Sequence, residues 1–120
     1  MSERDGQQGV PNRRSRRRVA AEKLPEGLRE FRLEFSPEEV YTGSTIDASL
    51  TSISFFVEVS ANRIREHLVH LTSADGSITM SQELVYVKPV DESRSRISFM
   101  YSAASTPPLY RRIINQALKE

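Results

Sequence analysis

The chain has 120 residues, and its charges nearly cancel: 17 Lys and Arg stand against 16 Asp and Glu, for a net charge of +1. It contains no cysteine, which excludes disulfides and thiolate metal sites. The first residues lack the apolar stretch of a secretory signal, and no apolar run approaches the length of a membrane span. These features predict a cytoplasmic protein that does not insert into membranes.

The N-terminal part divides into two predicted segments. Residues 1–12 are polar, carry glycine and proline and show no periodicity, so we expect a disordered tail. Residues 13–24 form an arginine-rich arm, with five arginines among positions 13–18. A turn signal at Pro25-Glu26-Gly27 ends the arm, and residues 25–120 are expected to fold as one domain.

Alternation of apolar and polar residues predicts six strands. It is clearest from Phe31 to Phe35, where apolar residues alternate with charged ones. Ala74-Asp75-Gly76 indicates a tight turn between two strands, since glycine supplies the positive φ that such turns need. The predicted strands cover about residues 31–35, 44–47, 52–59, 68–72, 78–87 and 96–101.

The last segment changes to helical spacing. Pro107 and Pro108 suit the first turn of a helix, and apolar residues then recur three and four positions apart up to Leu118. A helix this short needs a partner surface to be stable. The predicted fold class is therefore mainly β: a small antiparallel six-stranded β-barrel with a C-terminal α-helix and a disordered N-terminal arm.

A second polar cluster, residues 47–52, lies between two predicted strands. Residues two apart share a face of an extended backbone, so Asp47 and Ser49 are expected to present a carboxylate and a hydroxyl together. Next to arginines, this pair suits a guanine nucleotide. An arginine fork matches guanine O6 and N7, an aspartate accepts from the N–H edge of the base, and further arginines pair with phosphate.

The two clusters together resemble the PilZ domains, bacterial receptors for cyclic di-GMP. The PilZ signature is RxxxR in a flexible arm, followed downstream by D/N-x-S-x-x-G. Arg14 and Arg18 fit the first motif, with the apolar Val19 after it, and Asp47 and Ser49 fit the second. The resemblance extends over about residues 13–118, because the order of the later strands and the closing helix also agrees.

The chain differs from the PilZ signature at one position and offers two frames for the arginine motif. Ser52 stands where the family has glycine, so a side chain is added beside the site. The first motif can also be read from Arg13 to Arg17, although the frame from Arg14 to Arg18 places Val19 in the usual following position. In the family, an arginine directly before the motif accompanies an intercalated ligand dimer, and Arg13 occupies that position.

The resemblance implies a receptor or adaptor that is not an enzyme and needs no cofactor. Its ligand would be cyclic di-GMP, bound as an intercalated dimer, and binding would change the position of the arm and its contact with an unidentified downstream protein. The implied ligand-binding residues are Arg13, Arg14, Arg18, Asp47, Ser49 and Ser52.

Two alternatives remain open. The first is a PilZ-like adaptor that works by protein contacts without the ligand, which the serine at position 52 favours. The second is a small β-barrel that uses its arm on nucleic acid, although the strands lack a basic stripe interleaved with aromatics. No nucleophile–base arrangement indicates catalysis, and His67 and His70 are three apart, which places them on opposite faces of a strand and argues against a metal site.

Overall fold

The computed structural model describes residues 17–65 and 68–119. The predicted disordered tail, Arg13, Arg14 and His67 lie outside these ranges. None of the helices in the described ranges is long and apolar enough to cross a membrane. The elements are, in chain order, β1 (Val19–Ala20), β2 (Glu30–Ser36), β3 (Glu39–Ala48), β4 (Ser52–Val57), β5 (Leu68–Ser73), β6 (Thr79–Pro89), β7 (Ser95–Met100) and α1 (Pro108–Lys119).

Strands β2 to β7 close into an antiparallel barrel. Their order is β3-β2-β5-β6-β7-β4, and β4 pairs back with β3 to complete the ring. The two-residue β1 adds to β3 beyond the point where β2 stops pairing with it. The prediction of a closed six-stranded antiparallel barrel with a C-terminal helix is confirmed. Closure matters because it leaves few unpaired strand edges.

The barrel interior is filled by the apolar residues that the alternation predicts. In β2, Phe31 and Leu33 are buried while Glu30 and Arg32 are exposed. The Phe55 ring is central, with its centroid 5.3 Å from that of Phe31 and 6.0 Å from that of Phe99. Burying one such side chain stabilises the fold by roughly 1.5–3 kcal/mol relative to its exposure.

Helix α1 packs one stripe of side chains against the barrel. Tyr110, Ile114 and Ala117 are buried, and their spacing of four and three residues places them on one helical face. Arg111 holds the chain that leads into the helix, because its guanidinium donates to the main-chain carbonyls of Ala103 and Thr106. The helix is thus positioned both by its apolar stripe and by the loop before it.

Strand β3 is longer than predicted, because it begins directly after the turn at Pro37-Glu38. Gly43 lies inside it, paired with Phe31 on one side and Val57 on the other. A Cβ at this position would lie 2.7 Å from Leu33 Cδ1, so the core itself requires glycine here. The predicted turn at Ala74-Asp75-Gly76 is present, and Gly76 has the expected positive φ of 76°.

Candidate functional site

A bulge in β3 turns Asp47 to the outside of the barrel. Gly43 and Thr45 are buried on the inner side, and uninterrupted alternation would send Asp47 inward as well. The register between β3 and β4 shifts between Thr45 and Asp47, so that Ala48 is the next buried residue. Bulges commonly re-aim side chains in this way. The local backbone therefore places the Asp47 carboxylate on the outer surface.

Arg18 meets Asp47 on that surface. Its Nη1 lies 2.8 Å from Asp47 Oδ1, across 29 residues of sequence. The short strand β1 brings it there, since Val19 pairs with Ala48 and Ala20 with Asp47. The pair is open to solvent, with 47% of the arginine side chain and 20% of the aspartate side chain exposed. The structure thus joins one predicted site residue of the arm to one of the barrel.

Ser49 lies in the turn between β3 and β4, Ser52 is the first residue of β4, and both are buried. Their hydroxyl oxygens lie 3.0 Å apart, and the Ser49 amide donates to the Ser52 carbonyl at 2.7 Å. The Ser49 hydroxyl also accepts from the Thr51 amide at 3.2 Å. Ser49 therefore does not share the outer face with Asp47 as expected. Its hydroxyl shapes the turn that follows Asp47.

The serine at position 52 is accommodated without backbone strain. No non-glycine residue in the described ranges has a positive φ, so Ser52 does not need the conformational freedom that glycine has. Its side chain is directed into the fold and bonded to Ser49. The added side chain consequently does not project over the exposed Arg18–Asp47 pair.

Two tyrosines anchor this turn to the helix. The Tyr110 hydroxyl donates to the main-chain carbonyl of Ser49 at 2.8 Å, and it lies 2.7 Å from the Tyr101 hydroxyl. A phenol has a single proton to donate. Because the Tyr110 proton goes to the Ser49 carbonyl, Tyr101 must be the donor in the tyrosine pair. The hydrogen bonds run in one direction, from Tyr101 through Tyr110 to Ser49.

Both tyrosines remain protonated over the physiological range. Burial raises the pKa of Tyr101 far above its ordinary value of 10.0, and the neighbouring Tyr110 raises it further. Burial likewise raises the pKa of Tyr110. The positive charge of Arg18 acts in the opposite direction on the pKa of each hydroxyl. The Arg18–Asp47 pair and the tyrosine network are therefore close enough to interact electrostatically.

A row of residues paired from strand to strand extends from Asp47 across the barrel, with Ser54 buried at 1% exposure inside it. Asp47 is paired with Ser54 on β4, Ser54 with Ser98 on β7, and Ser98 with Tyr86 on β6. The Ser54 and Ser98 hydroxyl oxygens are 2.8 Å apart, and Tyr86 is 46% exposed at the end of the row. Sequence patterns did not single out these residues, because the row depends on registers between strands.

The predicted site residues therefore have different outcomes. Arg18 and Asp47 are in contact. Ser49 and Ser52 are buried beside them, at the two ends of the β3–β4 connection. Arg13 and Arg14 lie outside the described ranges.

His70 is exposed on β5, where its ring nitrogens lie 3.0 Å from the hydroxyls of Ser81 and Thr79.

No protein-family model, no curated protein and no solved structure matches the chain.

Proposed function

We propose that the chain is a cyclic di-GMP-binding receptor or adaptor domain of the PilZ type, in which ligand binding repositions the N-terminal arm. The observation that carries this proposal is the 2.8 Å contact between Arg18 and Asp47. It brings the last arginine of the RxxxR motif onto the aspartate of the second motif. A six-stranded barrel with a terminal helix, as the resemblance implies, provides the surface on which they meet.

The chemistry of the two side chains complements a guanine nucleotide. A carboxylate accepts hydrogen bonds from the N–H edge of guanine, and a guanidinium matches O6 and N7 of the base or two phosphate oxygens. Asp47 uses only Oδ1 for Arg18 among the described contacts. In the proposal, Arg13 and Arg14 add the further positive charge that a ligand with two phosphates requires.

The ion pair supplies the switch. An exposed Arg–Asp pair contributes only about 0–1 kcal/mol, so a base that donates two hydrogen bonds to Asp47 can replace Arg18. The released guanidinium then binds the ligand instead. Arg18 precedes β1 directly, and any change in its partner is passed to the arm through Val19 and Ala20.

Ser49 and Ser52 have a supporting part in this proposal. Their buried hydroxyls fix the turn after Asp47, and Tyr110 fixes the same turn from the helix. A carboxylate at a strand end next to a rigid turn loses little freedom when it binds a ligand, which favours affinity. We therefore expect the serine at position 52 to be compatible with ligand binding.

Calorimetric titration of the full chain with cyclic di-GMP tests the proposal. Arg18→Ala and Asp47→Ala should each weaken binding at least about tenfold, which corresponds to about 1.4 kcal/mol. The structure offers a matched control, because Arg94 and Asp91 form another exposed pair with a 2.8 Å contact. Arg94→Ala and Asp91→Ala remove an equivalent pair elsewhere and should leave the affinity unchanged.

No heat of binding at ligand concentrations on the order of a hundred micromolar would refute the receptor proposal. That result would favour the ligand-independent adaptor. This alternative has a specific observation in its favour, since the Ser49 side chain is buried and does not face a ligand on the outer surface. Tight, steeply salt-dependent binding of long RNA or DNA would instead favour the nucleic-acid alternative.

A further inference from the structure

A groove separates the end of the arm from helix α1, and we call it the arm–helix groove. Leu24 and Pro25 form one wall, and Ile113 and Ala117 form the other. The space between them is about 650 Å³ and is open to solvent. Clefts that bind ligands commonly have roughly 300–1,000 Å³. An open groove of this size suits an extended or helical segment of protein, because it does not enclose its occupant.

The rim of the arm–helix groove is positively charged. Within residues 17–65 and 68–119, Lys23, Arg29 and Arg112 line it together with one carboxylate, that of Glu22. Arg29 is held in place, since its Nε donates to the Leu24 carbonyl at 3.1 Å and its Nη2 to the Glu22 carbonyl at 3.0 Å. A guanidinium fixed before binding loses less side-chain entropy when a partner arrives.

We infer that the arm–helix groove is a docking site for an acidic amphipathic segment of a partner protein. Apolar side chains of the segment would pack on Pro25 and Ile113, and its carboxylates would pair with the basic rim. Both elements of recognition come from the same groove. The two apolar walls bury apolar side chains of the partner, and the charged rim selects an acidic partner over a basic one.

Charge also decides against two other occupants. Residues 1–16 of this chain carry most of the arginine run, and their positive charge would be repelled by Lys23, Arg29 and Arg112. A second copy that docked through the same groove would bring the same basic rim, together with Arg111 and Lys119 of its helix. Like charges at an interface oppose association.

The position of the groove connects it to the arm. The groove residues 22–25 follow β1 after Ala21, and β1 is held by pairing with Asp47 and Ala48. A ligand that displaces Arg18 from Asp47 would therefore also shift these residues and change the affinity of the groove for its partner. This regulatory part of the inference rests on the proposed function, whereas docking itself does not.

The test uses two synthetic helical peptides with identical leucine spacing, one with glutamate and the other with lysine at the remaining positions. NMR of the full chain should show shifts at Leu24, Ile113 and Ala117 with the glutamate peptide. Fluorescence anisotropy should give at least about tenfold weaker binding for Arg112→Glu, a change of about 1.4 kcal/mol. Arg63→Glu is the matched control, because Arg63 is exposed on the turn after β4 and lies outside the groove.

Docking is overturned if the glutamate peptide does not bind at about millimolar concentration, or if the lysine peptide binds equally well. It is also overturned if Arg112→Glu abolishes self-association of the chain, which would identify a second copy as the occupant. Docking of a partner is overturned as well if a spin label on Ser2→Cys, the only cysteine in that variant, broadens the signal of Ile113, because residues 1–16 of the chain would then be the occupant.

Repeating the anisotropy measurement with cyclic di-GMP separates this inference from the proposed function. Peptide binding without any heat from cyclic di-GMP refutes the receptor and supports the groove as a docking site. Binding of both, with the peptide affinity unchanged by the nucleotide, overturns the regulatory part. A change of peptide affinity that Asp47→Ala removes supports the inference as a whole.

Discussion

Tyr110 of helix α1 donates a hydrogen bond of 2.8 Å to the main-chain carbonyl of Ser49, across 61 residues of sequence. The bond attaches the end of the chain to the turn that follows Asp47. Since the same phenol accepts from Tyr101, it connects three parts of the fold: the β3–β4 turn, the residue after β7, and the helix. The Tyr110 hydroxyl therefore adds to the hydrogen bonds of Ser49 and Ser52 that stabilise this corner beside the candidate site.

Removing that hydroxyl should destabilise the fold. Tyr110→Phe leaves the Ser49 carbonyl and the Tyr101 hydroxyl without their partner, and we expect a loss of about 1–3 kcal/mol in the free energy of unfolding. Tyr101→Phe removes only the donor to Tyr110 and should cost about 0.5–1.5 kcal/mol. Urea unfolding of both variants and of the double variant measures these values. A larger loss for Tyr101→Phe than for Tyr110→Phe would contradict the direction of the network.

Alkaline pH should destabilise the fold through the same pair. Burial raises the pKa of both hydroxyls above the value of 10.0 that applies in the unfolded chain. The free energy of unfolding that the two protonated hydroxyls contribute is thus fully present below pH 10.0 and is lost as the pH rises above that value. Urea midpoints measured across this range should fall, and phenolate absorbance from these residues should appear together with unfolding. The fall should be shallower in the Tyr101→Phe, Tyr110→Phe double variant.

Acidic pH should destabilise the fold by protonating Asp75, which lies in the turn after β5. Bonds from the side chain and the amide of Ser77, with a further bond from the Ser73 hydroxyl, lower the pKa of this carboxyl from 3.8. Its contribution is present above pH 3.8 and is lost as the pH falls below that value. Thermal unfolding at decreasing pH should therefore show a smaller acid-dependent drop for Asp75→Asn. An unchanged drop would show that Asp75 does not titrate with folding.

Two glycine substitutions should destabilise the fold for different reasons. In Gly43→Ala the new Cβ would meet Leu33 Cδ1 at 2.7 Å and Phe55 at 3.1 Å, and overpacking of this kind costs about 1–3 kcal/mol. In Gly76→Ala no heavy atom lies within 4 Å, but φ is +76°, and an alanine there costs about 1–2 kcal/mol of backbone strain. Replacement of Gly76 by asparagine, which tolerates this conformation, should recover part of the loss, whereas no replacement of similar size should rescue position 43.

Arg18→Ala should separate stability from ligand binding. The exposed ion pair with Asp47 contributes less than about 1 kcal/mol to folding, so chemical unfolding should change little. Under the receptor proposal, affinity for cyclic di-GMP should nevertheless fall at least about tenfold. Equal and large effects on both quantities would indicate that Arg18 holds the arm mainly for structural reasons.

The regular parts of the fold follow from sequence patterns, as β2 illustrates. Its alternation of Phe31, Leu33 and Phe35 with charged residues indicates both the strand and its buried face. In β3 the alternation of apolar and polar residues is interrupted at Gly43, so the sequence predicts the strand from residue 44 only. The reason for that glycine lies in the space taken by Leu33 and Phe55, which are distant in sequence, and no local pattern reveals it.

The candidate site was predictable in part. The motifs pointed to Arg18 and Asp47, and these two residues are in contact. The sequence does not indicate that Ser49 is buried, because the bulge between Thr45 and Asp47 changes which side chains face outward. The role of Tyr110 was also missed, since helical spacing identifies a buried residue but does not say which carbonyl its hydroxyl meets.

The short strand β1 has one more consequence. Beyond Ser44, β2 no longer pairs with β3, and β1 covers the same side of β3 at Asp47 and Ala48. If the arm leaves the barrel, the backbone groups that β1 occupied become free to pair with an extended segment of another chain. Two hydrogen-bonded residues thus protect the barrel against edge-to-edge association, and any signal that releases the arm also removes that protection.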